Sequence, residues 1–269
     1  MATGTNSAQV YWDHAAKTYD RDFTETLVGC AERDAVWEEL ELAFHFGQRI
    51  LELNCGTGVD AVHLAGSGVK VLACDISPRM IEMARERARC SGLAERIEFR
   101  VLATEDIAAL GDRARFDGVF SNFAGLNCVE DLASVARTLA RLLKPGGRAL
   151  FCMLGRFVLW ETAWSLMHGS LRQALPRFTR GVTAGHLAGS GTVRVHYPSV
   201  RTMRRIFAPE FRLREWRGIG VTLPPAYAES WARRFPRTFS RLARADRRLG
   251  RMPVLRGMAD LVLLQFARR

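Results

Sequence analysis

The stretch that most constrains this chain is residues 50–60, a short apolar run that ends in an acidic residue and a turn with two glycines. Gly56 and Gly58 let the main chain turn sharply and approach a ligand without a Cβ in the way. A second apolar run over 69–74 ends in Asp75. The order of strand, tight loop, helix and strand predicts the first βαβ unit of a nucleotide-binding sheet. Amides at the helix N-terminus suit a negatively charged group, and Asp75 is placed to accept both hydrogen bonds of a ribose diol.

Two classes of cofactor share this layout. A dinucleotide pattern, G-x-G-x-x-G/A, is matched by Gly56, Gly58 and Ala61. A second pattern, E/D-x-G-x-G-x-G, begins with Glu52 and has Asn54 in its first glycine position. The acid inside the strand end and the motifs further along the chain favour the second pattern.

Composition favours a single domain with insertions. The chain has 269 residues, 48% of them hydrophobic, which is enough for one large core. It lacks a run of about 18 apolar residues and an N-terminal apolar segment, so neither a membrane span nor a signal peptide is expected. The six cysteines have no C-x-x-C spacing, and no H-x-x-x-H pair is present. These features predict a cytoplasmic protein with reduced thiols and no metal site.

The positive charge is concentrated near the C-terminus. Residues 200–256 hold 15 arginines against four acidic residues, which accounts for the whole net charge of +11. Such a cluster is typical of a surface for an acidic partner, a membrane or a nucleic acid, although a solvated helical face is the more frequent explanation. No recognisable RNA-binding module precedes the core, so a nucleic acid partner is disfavoured.

Strand and helix patterns alternate along the chain. Ser77 and Pro78 are typical of a helix start, and the Lys-Pro-Gly-Gly run at 144–147 predicts a turn. One predicted strand ends at residue 53 and another begins at residue 116. The other predicted strands cover 69–75, 96–102, 148–154, 211–219 and 260–266. The predicted helices cover 10–23, 24–46, 60–65, 79–90, 129–143 and 199–207, and a polar turn at 103–110 leads into a further short helix.

These motifs together resemble the class I S-adenosylmethionine-dependent methyltransferases. The resemblance covers residues 10–155 and adds a W-D-x-x-A-x-x-Y-D pattern at 12–20, the Asn122-Phe123 pair after the fourth strand, and Leu-Lys-Pro-Gly-Gly at 143–147. It implies an α/β fold with a Rossmann-like seven-stranded, mostly parallel sheet. In that fold an antiparallel last strand lies between the two strands before it, and helices cover both faces. Helical lid insertions would be added to this core.

The resemblance also implies a division of the chain. Residues 1–47 would form an N-terminal helical cover and 48–155 the cofactor-binding core. Residues 156–198 would form an insertion with an aromatic helix and a glycine-dotted loop at 181–191, serving as lid or acceptor pocket. Residues 199–269 would complete the sheet and carry a basic helical insertion at 222–257.

The implied cofactor is S-adenosylmethionine, with S-adenosylhomocysteine as product. Family members close the N-terminal segment over the cofactor, with a tyrosine reaching its carboxylate, and pack the residue after the second acid on adenine. The usual acid for the adenine amino group is replaced by Ala103, so Glu105, Asp106 or a backbone amide would take its place. The predicted cofactor residues are Tyr19, Glu52, Asn54, Gly56, Gly58, Asp75, Ile76, Met80, Thr104, Glu105, Asp106, Asn122 and Phe123.

Methyl transfer is an in-line displacement, which needs alignment and exclusion of water, and needs a base only for a protonated acceptor. His168 is the first candidate base, Glu161 the carboxylate alternative and His14 the second histidine, although most histidines have structural roles. The predicted acceptor pocket consists of Tyr11, Asn127, Trp160, Trp164 and Tyr197.

The sequence therefore predicts a methyltransferase, monomeric or homodimeric, that acts on a small, apolar or aromatic acceptor at an oxygen, nitrogen, sulfur or carbon atom. A lipid or macromolecular acceptor docked on the basic region, through transient membrane-surface contact in the case of a lipid, is one alternative. A non-catalytic cofactor-binding protein is another. A nicotinamide-dependent oxidoreductase is disfavoured by the expected antiparallel last strand. The absence of an N/D-P-P-Y/F motif beside the fourth strand disfavours base methylation.

Overall fold

The computed structural model of the chain describes residues 3–111, 116–160, 182–184, 193–225 and 228–269. Its main element is a seven-stranded sheet of order β3-β2-β1-β4-β5-β9-β8. Strand β9 runs antiparallel to both of its neighbours, β5 and β8, so the predicted position of the last strand is confirmed. The strands of this sheet are β1 Arg49–Leu53, β2 Lys70–Asp75, β3 Ile97–Val101, β4 Phe116–Ser121, β5 Leu143–Leu154, β8 Phe211–Ile219 and β9 Leu261–Arg268.

Helices cover both faces of the sheet, as expected for strands that are buried on both sides. Helices α2, α3 and α4 bury apolar residues on one face, together with Ile50, Phe120 and Leu150 of the strands. Helices α5 and α6 cover the other face, where Phe151 and Phe207 pack in tilted geometry. The helices are α1 Thr3–Tyr19, α2 Leu27–Ala43, α3 Val59–Gly66, α4 Pro78–Cys90, α5 Leu132–Leu142, α6 Val200–Phe207, α7 Glu229–Arg234 and α8 Pro236–Leu249.

Several helices begin at a side chain that caps them. The Ser77 hydroxyl accepts a hydrogen bond from the Met80 amide at 3.0 Å, which confirms the predicted start of α4. Thr26, Asp131 and Ser199 accept in the same way at the starts of α2, α5 and α6. Each cap satisfies one of the amides that a helix leaves without an internal partner.

Some boundaries differ from the prediction. Helix α1 is longer than expected and continues into a π-helical turn, Asp20–Thr24. Helix α5 begins three residues later than predicted, after its cap Asp131, and is preceded by a 3₁₀ turn at Gly125–Cys128. Strand β5 begins at Leu143 because the turn residues already pair beside β4, with a shift in register. Part of the predicted glycine loop forms a strand, β6 Val182–Ala184, which pairs antiparallel with β7 Val193–Val195.

The predicted basic insertion is helical in its described part and contains α7, α8 and a 3₁₀ turn, Leu255–Met258. None of the helices in the described ranges has the length and apolarity needed to cross a membrane. Among the same residues, no group of three or more histidines, cysteines and acids is placed to hold a metal ion.

A buried carboxylate joins α2 to the C-terminal strands. Glu39 accepts hydrogen bonds from Arg217 of β8 at 2.7 Å, Arg251 at 2.9 Å and Gln265 of β9 at 2.8 Å. Arg217 is only 2% exposed, and its Nε and Nη2 have no partner among the described residues. Glu39 is therefore the group that compensates the buried guanidinium.

We predict that Glu39→Ala lowers the free energy of unfolding by about 3–5 kcal/mol, because it leaves the charge of Arg217 buried and unpaired. Glu38→Ala is the matched control, since Glu38 pairs with Arg247 at the surface and its loss is expected to cost less than about 1 kcal/mol. Urea unfolding followed by circular dichroism measures both. Equal losses in the two variants would contradict this assignment.

Candidate functional site

A pocket with about 620 Å³ of empty space lies at the carboxyl ends of β1, β2 and β4, where open α/β sheets bind ligands. Helix α1 and the middle of α2 contribute to it from the N-terminal part of the chain. The lining residues are Trp12, Tyr19, Arg33, Asn54, Cys55, Gly56, Thr57, Val59, Asp60, Asp75, Ile76, Met80, Asn122, Phe123, Gly125 and Cys128.

The loop after β1 owes its shape to three residues with left-handed backbone. Asn54 has φ 55°, Gly56 has φ 52° and Gly58 has φ 76°. Asparagine tolerates this region better than most residues with a side chain, which explains its place in the first glycine position of the motif. A Cβ on Gly58 would lie 2.7 Å from the Cβ of Ala84, so this glycine also allows α4 to pack closely.

Asp75 at the end of β2 is buried and partly satisfied. Its carboxylate accepts hydrogen bonds from the amides of Gly56 and Ser77, both at 2.9 Å. Burial raises the pKa of Asp75 to about 6, although these amides act in the opposite direction. The carboxylate thus connects the glycine loop with the start of α4 and borders the pocket.

Asp60, in the first turn of α3, joins three elements around the pocket. Its carboxylate accepts hydrogen bonds from Arg33 at 3.1 Å, from Trp37 Nε1 at 2.7 Å and from Asn122 Nδ2 at 2.9 Å. Burial acts most strongly on Arg33 and opposes its charge, but Asp60 together with Tyr19 and Glu52 outweighs this effect, and the pKa of Arg33 is raised. A charged guanidinium therefore faces the pocket.

The end of β4 has a strained backbone next to this guanidinium. Phe123 has φ 43° and Ala124 has φ 67°, and residues with a side chain rarely adopt such conformations. The Phe123 ring lies 4.6 Å from the guanidinium carbon of Arg33 and packs edge-to-face on Phe23 with centroids 4.6 Å apart. Such strain persists where surrounding contacts hold it, and it is typical of ligand sites.

Glu52 lies on β1 just before the loop and is 1% exposed. Its Oε2 atom has no hydrogen-bond partner among the described residues. Burial, reinforced by the nearby charge of Asp60, raises the pKa of Glu52 well above its usual range. A buried carboxyl group without a partner is costly, so this atom marks a place where a ligand's donor or cation would stabilise the protein.

Helix α1 is attached over the pocket by two carboxylates. Asp13 accepts from the Ser77 hydroxyl and from the Arg79 amide at 3.1 Å, at the start of α4. Asp20 accepts from the Thr57 hydroxyl at 2.7 Å and from Arg87 at 2.6 Å. These bonds hold Trp12 and Tyr19 against the pocket, where burial raises the pKa of Tyr19 to about 12 and keeps its hydroxyl a neutral donor.

The pocket brings together many of the predicted cofactor residues: Tyr19, Asn54, Gly56, Asp75, Ile76, Met80, Asn122 and Phe123. Glu52 and Gly58 are not part of this lining: Glu52 is buried in β1, and Gly58 packs against Ala84 of α4. The Thr104 hydroxyl donates a hydrogen bond to Asn54 Oδ1 at 3.1 Å and so stabilises the loop after β1. Glu105 and Asp106 are exposed on the 3₁₀ turn Thr104–Leu110, so their role toward an adenine amino group remains a prediction.

The predicted acceptor residues are more scattered. Tyr11 lies close to Cys128, and the pKa of Tyr11 is raised by burial and by this thiol. Asn127 is fully buried, with its amide bonded to the main chain of Leu154 and His196, a structural arrangement. His14 is exposed, and Trp160 and Tyr197 are half-buried. Trp164, His168 and Glu161 lie outside the described residues.

Arg33, Asp60, Trp12 and Cys128 line the pocket without having been predicted to do so. Asp60 follows the glycine loop directly, in the first turn of a helix, a position that suits an acid for the helix dipole alone. Arg33 lies in the middle of α2 with no local motif around it. Contacts made in the folded chain identify Arg33 as part of the site: its hydrogen bond to Asp60, 27 positions away, and its contact with the Phe123 ring.

The residues fit a cofactor that combines a nucleoside with a charged tail. Asp75 at the strand end offers acceptors for a ribose diol, and Ile76 and Met80 offer an apolar wall for a flat base. The charged guanidinium of Arg33 is suited to the carboxylate group of an amino acid. The fold and the site thus define an α/β protein for a nucleoside cofactor.

Comparisons with known proteins agree with this class. The methyltransferase domain family matches residues 50–147. A demethylmenaquinone methyltransferase of Mycobacterium marinum is 32% identical over 180 residues, covering 64% of this chain and 70% of that protein. A ubiquinone biosynthesis O-methyltransferase of Xanthomonas oryzae is 35% identical over 123 residues, covering 46% of this chain and 48% of that protein. The chain spans about half the length of most of the curated relatives that it matches.

A solved structure, the [4+2]-cyclase SpnF, has a TM-score of 0.61 and 16% identity, covering 100% of this chain and 97% of that one. This similarity shows the fold alone. With the sequence relatives, however, the assignment is clear: the chain belongs to the class I S-adenosylmethionine-dependent methyltransferases. S-adenosylmethionine is the cofactor of that family.

We predict that Gly58→Ala destabilises the fold more than Gly56→Ala. Both substitutions put a side chain on left-handed backbone, but only the Cβ at residue 58 meets backbone and Cβ atoms of α4 at 3.0 Å or less. Gly56→Ala, whose Cβ has only the Tyr19 ring nearby at 3.9 Å, is expected to act mainly on ligand binding. Thermal unfolding and calorimetric titration with S-adenosylhomocysteine separate the two effects. The reverse order of stabilities would refute this reading of the loop.

We further predict that S-adenosylhomocysteine binds more weakly below about pH 6, because protonation of Asp75 removes a charged acceptor for the ribose. Asp75→Asn is expected to weaken binding by about 1–3 kcal/mol at neutral pH and to abolish this step in the pH profile. Calorimetry between pH 5 and 8 on wild type, Asp75→Asn and the surface control Glu95→Ala tests this. A step that persists in Asp75→Asn would assign the titration to another group.

Proposed function

We propose that this chain transfers the methyl group of S-adenosylmethionine to a small, apolar or aromatic acceptor. The proposal rests on one observation. The residues suited to a nucleoside, namely the glycine loop and Asp75, line the same pocket as the aromatic side chains of Trp12 and Phe123. The relatives named for demethylmenaquinone and ubiquinone biosynthesis support an acceptor of this kind.

The chain's own residues have distinct tasks in holding the cofactor. Asp75 binds the ribose hydroxyls, and Ile76 and Met80 pack against the base. Arg33 and the neutral hydroxyl of Tyr19 bind the carboxylate of the amino acid tail. When bound, the cofactor supplies a methyl group activated by a sulfonium charge.

Two properties of the pocket favour direct displacement. The aromatic rings of Trp12 and Phe123 exclude water, and the contacts of Phe123 with Phe23 and Arg33 keep its ring in place. A site that holds the acceptor atom in line with the methyl group lowers the entropic part of the activation barrier, because the two reactants no longer have to meet in solution. The protein thus contributes mainly by orientation and by removal of water.

The described lining of the pocket contains no histidine, and of its two acids Asp75 is bonded by two amides and is assigned to the ribose. Asp60 is engaged by three donors, and burial raises the pKa of the Cys128 thiol to about 12. We therefore favour an acceptor that loses its proton readily, such as a phenol or an activated carbon. His168 and Glu161, outside the described residues, and the exposed His14 remain candidates for a protonated acceptor.

A lipid or macromolecular acceptor is the second candidate, favoured by the arginine-rich region 200–256. A cofactor-binding protein without methyl transfer is the third. We place the protein in the cytoplasm, a proposal supported by its six free cysteines, and expect a monomer or a homodimer.

The test uses S-adenosylmethionine labelled in its methyl group, incubated with the protein and a host extract. The products are separated into small organic-soluble molecules, phospholipids, protein and nucleic acid. We expect label in the small molecules, and no label with Asp75→Asn under subsaturating cofactor. Label in phospholipid, protein or nucleic acid would instead support the second candidate, a lipid or macromolecular acceptor. No label in any fraction, with S-adenosylhomocysteine binding intact, would favour the third.

A further inference from the structure

Four arginines lie on the solvent-facing side of α8. Arg237, Arg241, Arg244 and Arg248 follow one another at spacings of four, three and four residues, which places them on a single helical face. All four are exposed. We refer to these residues as the arginine stripe.

The stripe has no acidic partner among the described residues, in contrast to nearby arginines. Arg233 pairs with Glu229 at 2.8 Å, Arg247 pairs with Glu38, and Arg251 pairs with Glu39 at 2.9 Å. These three arginines lie off the stripe: the pair of Arg233 is within α7, whereas Arg247 of α8 and Arg251, just after it, connect this region to α2. The stripe is therefore a surface of uncompensated positive charge.

The opposite face of α8 is held firmly by the rest of the protein. Phe239 packs in a small apolar cluster with Val28 and Leu223. Asp246 is 1% exposed and accepts hydrogen bonds from the amides of Gly220 at 2.9 Å and Thr222 at 2.8 Å. The stripe thus has a fixed place on the protein.

Exposed apolar side chains stand at both ends of the stripe. Phe235 directly precedes α8 and is 45% exposed, while Met252 and Val254 follow it and are 51% and 77% exposed. Large apolar side chains beside a basic face suit the boundary between lipid headgroups and acyl chains. The phosphates of a nucleic acid would attract the arginines but would offer Met252 and Val254 no apolar surroundings.

We propose that the arginine stripe, together with Phe235, Met252 and Val254, docks the protein on the anionic phospholipid surface of a membrane. Arginine binds phosphate oxygens through paired donors, and each such residue near an anionic bilayer adds to its attraction. The choice of a membrane rests in part on the proposed function, because an apolar acceptor partitions into lipid.

The stripe is also connected to the candidate active site. Strand β8 runs parallel to β5, so its carboxyl end at Ile219 lies at the same edge of the sheet as the pocket. The chain leads from this end to α7, where Glu229 accepts from the amide of Leu27 at 3.0 Å, at the start of α2. Helix α2 in turn carries Arg33. Docking would therefore leave only α8 between the membrane and α2, the helix that carries Arg33.

The test is cosedimentation with vesicles of two parts phosphatidylcholine to one part phosphatidylglycerol, and with vesicles of phosphatidylcholine alone. We expect binding to the anionic vesicles only, with a loss of affinity when the salt concentration rises from about 0.1 M to about 0.5 M. The variant R237Q/R241Q/R244Q/R248Q is expected to lose about tenfold or more in affinity. Replacement of Phe235, Met252 and Val254 by serine is expected to weaken binding severalfold.

The control variant R201Q/R204Q/R205Q/R212Q removes the same charge from exposed arginines of α6 and β8. We expect it to bind within about threefold of wild type, since three of its four arginines lie on α6, which covers the face of the sheet opposite α2. An equal loss in the two variants, no binding of wild type to anionic vesicles, or tighter binding to duplex DNA or RNA would overturn the proposal. Thermal unfolding verifies that each variant folds.

A separate titration with S-adenosylhomocysteine distinguishes this proposal from the proposed function. The stripe variant is expected to bind it like wild type, because none of its residues lines the pocket. Loss of vesicle binding with cofactor binding intact supports a docking surface. Vesicle binding by a wild-type protein that transfers no methyl group would retain the docking surface and reject the proposed function.

Discussion

The candidate site depends on the hydrogen bonds that the buried carboxylate of Asp60 accepts. It is bonded by Arg33 and Trp37 of α2 and by Asn122 at the end of β4, and it lies itself in the first turn of α3. A buried charge of this kind is tolerated only when its partners stay in place. Asp60 therefore fixes the guanidinium of Arg33 and, through the contact of Arg33 with Phe123, the strained end of β4.

The site combines a rigid part with a part that is attached by polar contacts. The loop after β1 and the end of β2 belong to the sheet, where close packing and backbone geometry leave little freedom. Helix α1 instead lies over the pocket and is held by the carboxylates of Asp13 and Asp20. The position of α1 therefore depends on these few polar contacts with the loop after β1 and with the start of α4.

The fold could largely be predicted from the sequence because its signals are local. The apolar runs, the glycines at 56 and 58 and the helix cap at Ser77 each act within a few residues, and the structure confirms the elements that they indicated. The boundaries that differed depend on partners elsewhere. Strand β5 begins early because Leu143 pairs with Phe116, and part of the expected loop at 181–191 becomes strand β6 because β7 is available to pair with it.

The sequence by itself thus determined the alternation of strands and helices, the place of the antiparallel last strand and the family. The acids and glycines that it predicts for the cofactor lie at one sheet edge, because the spacing of strands and turns places them there. Only the tertiary structure decided which other charges join them. Arg33 and Asp60 are 27 positions apart, Asp60 and Asn122 are 62 apart, and their pairing requires the folded core that excludes water from all three. Charges of this kind gain their partners through burial, which a local pattern of residues does not record.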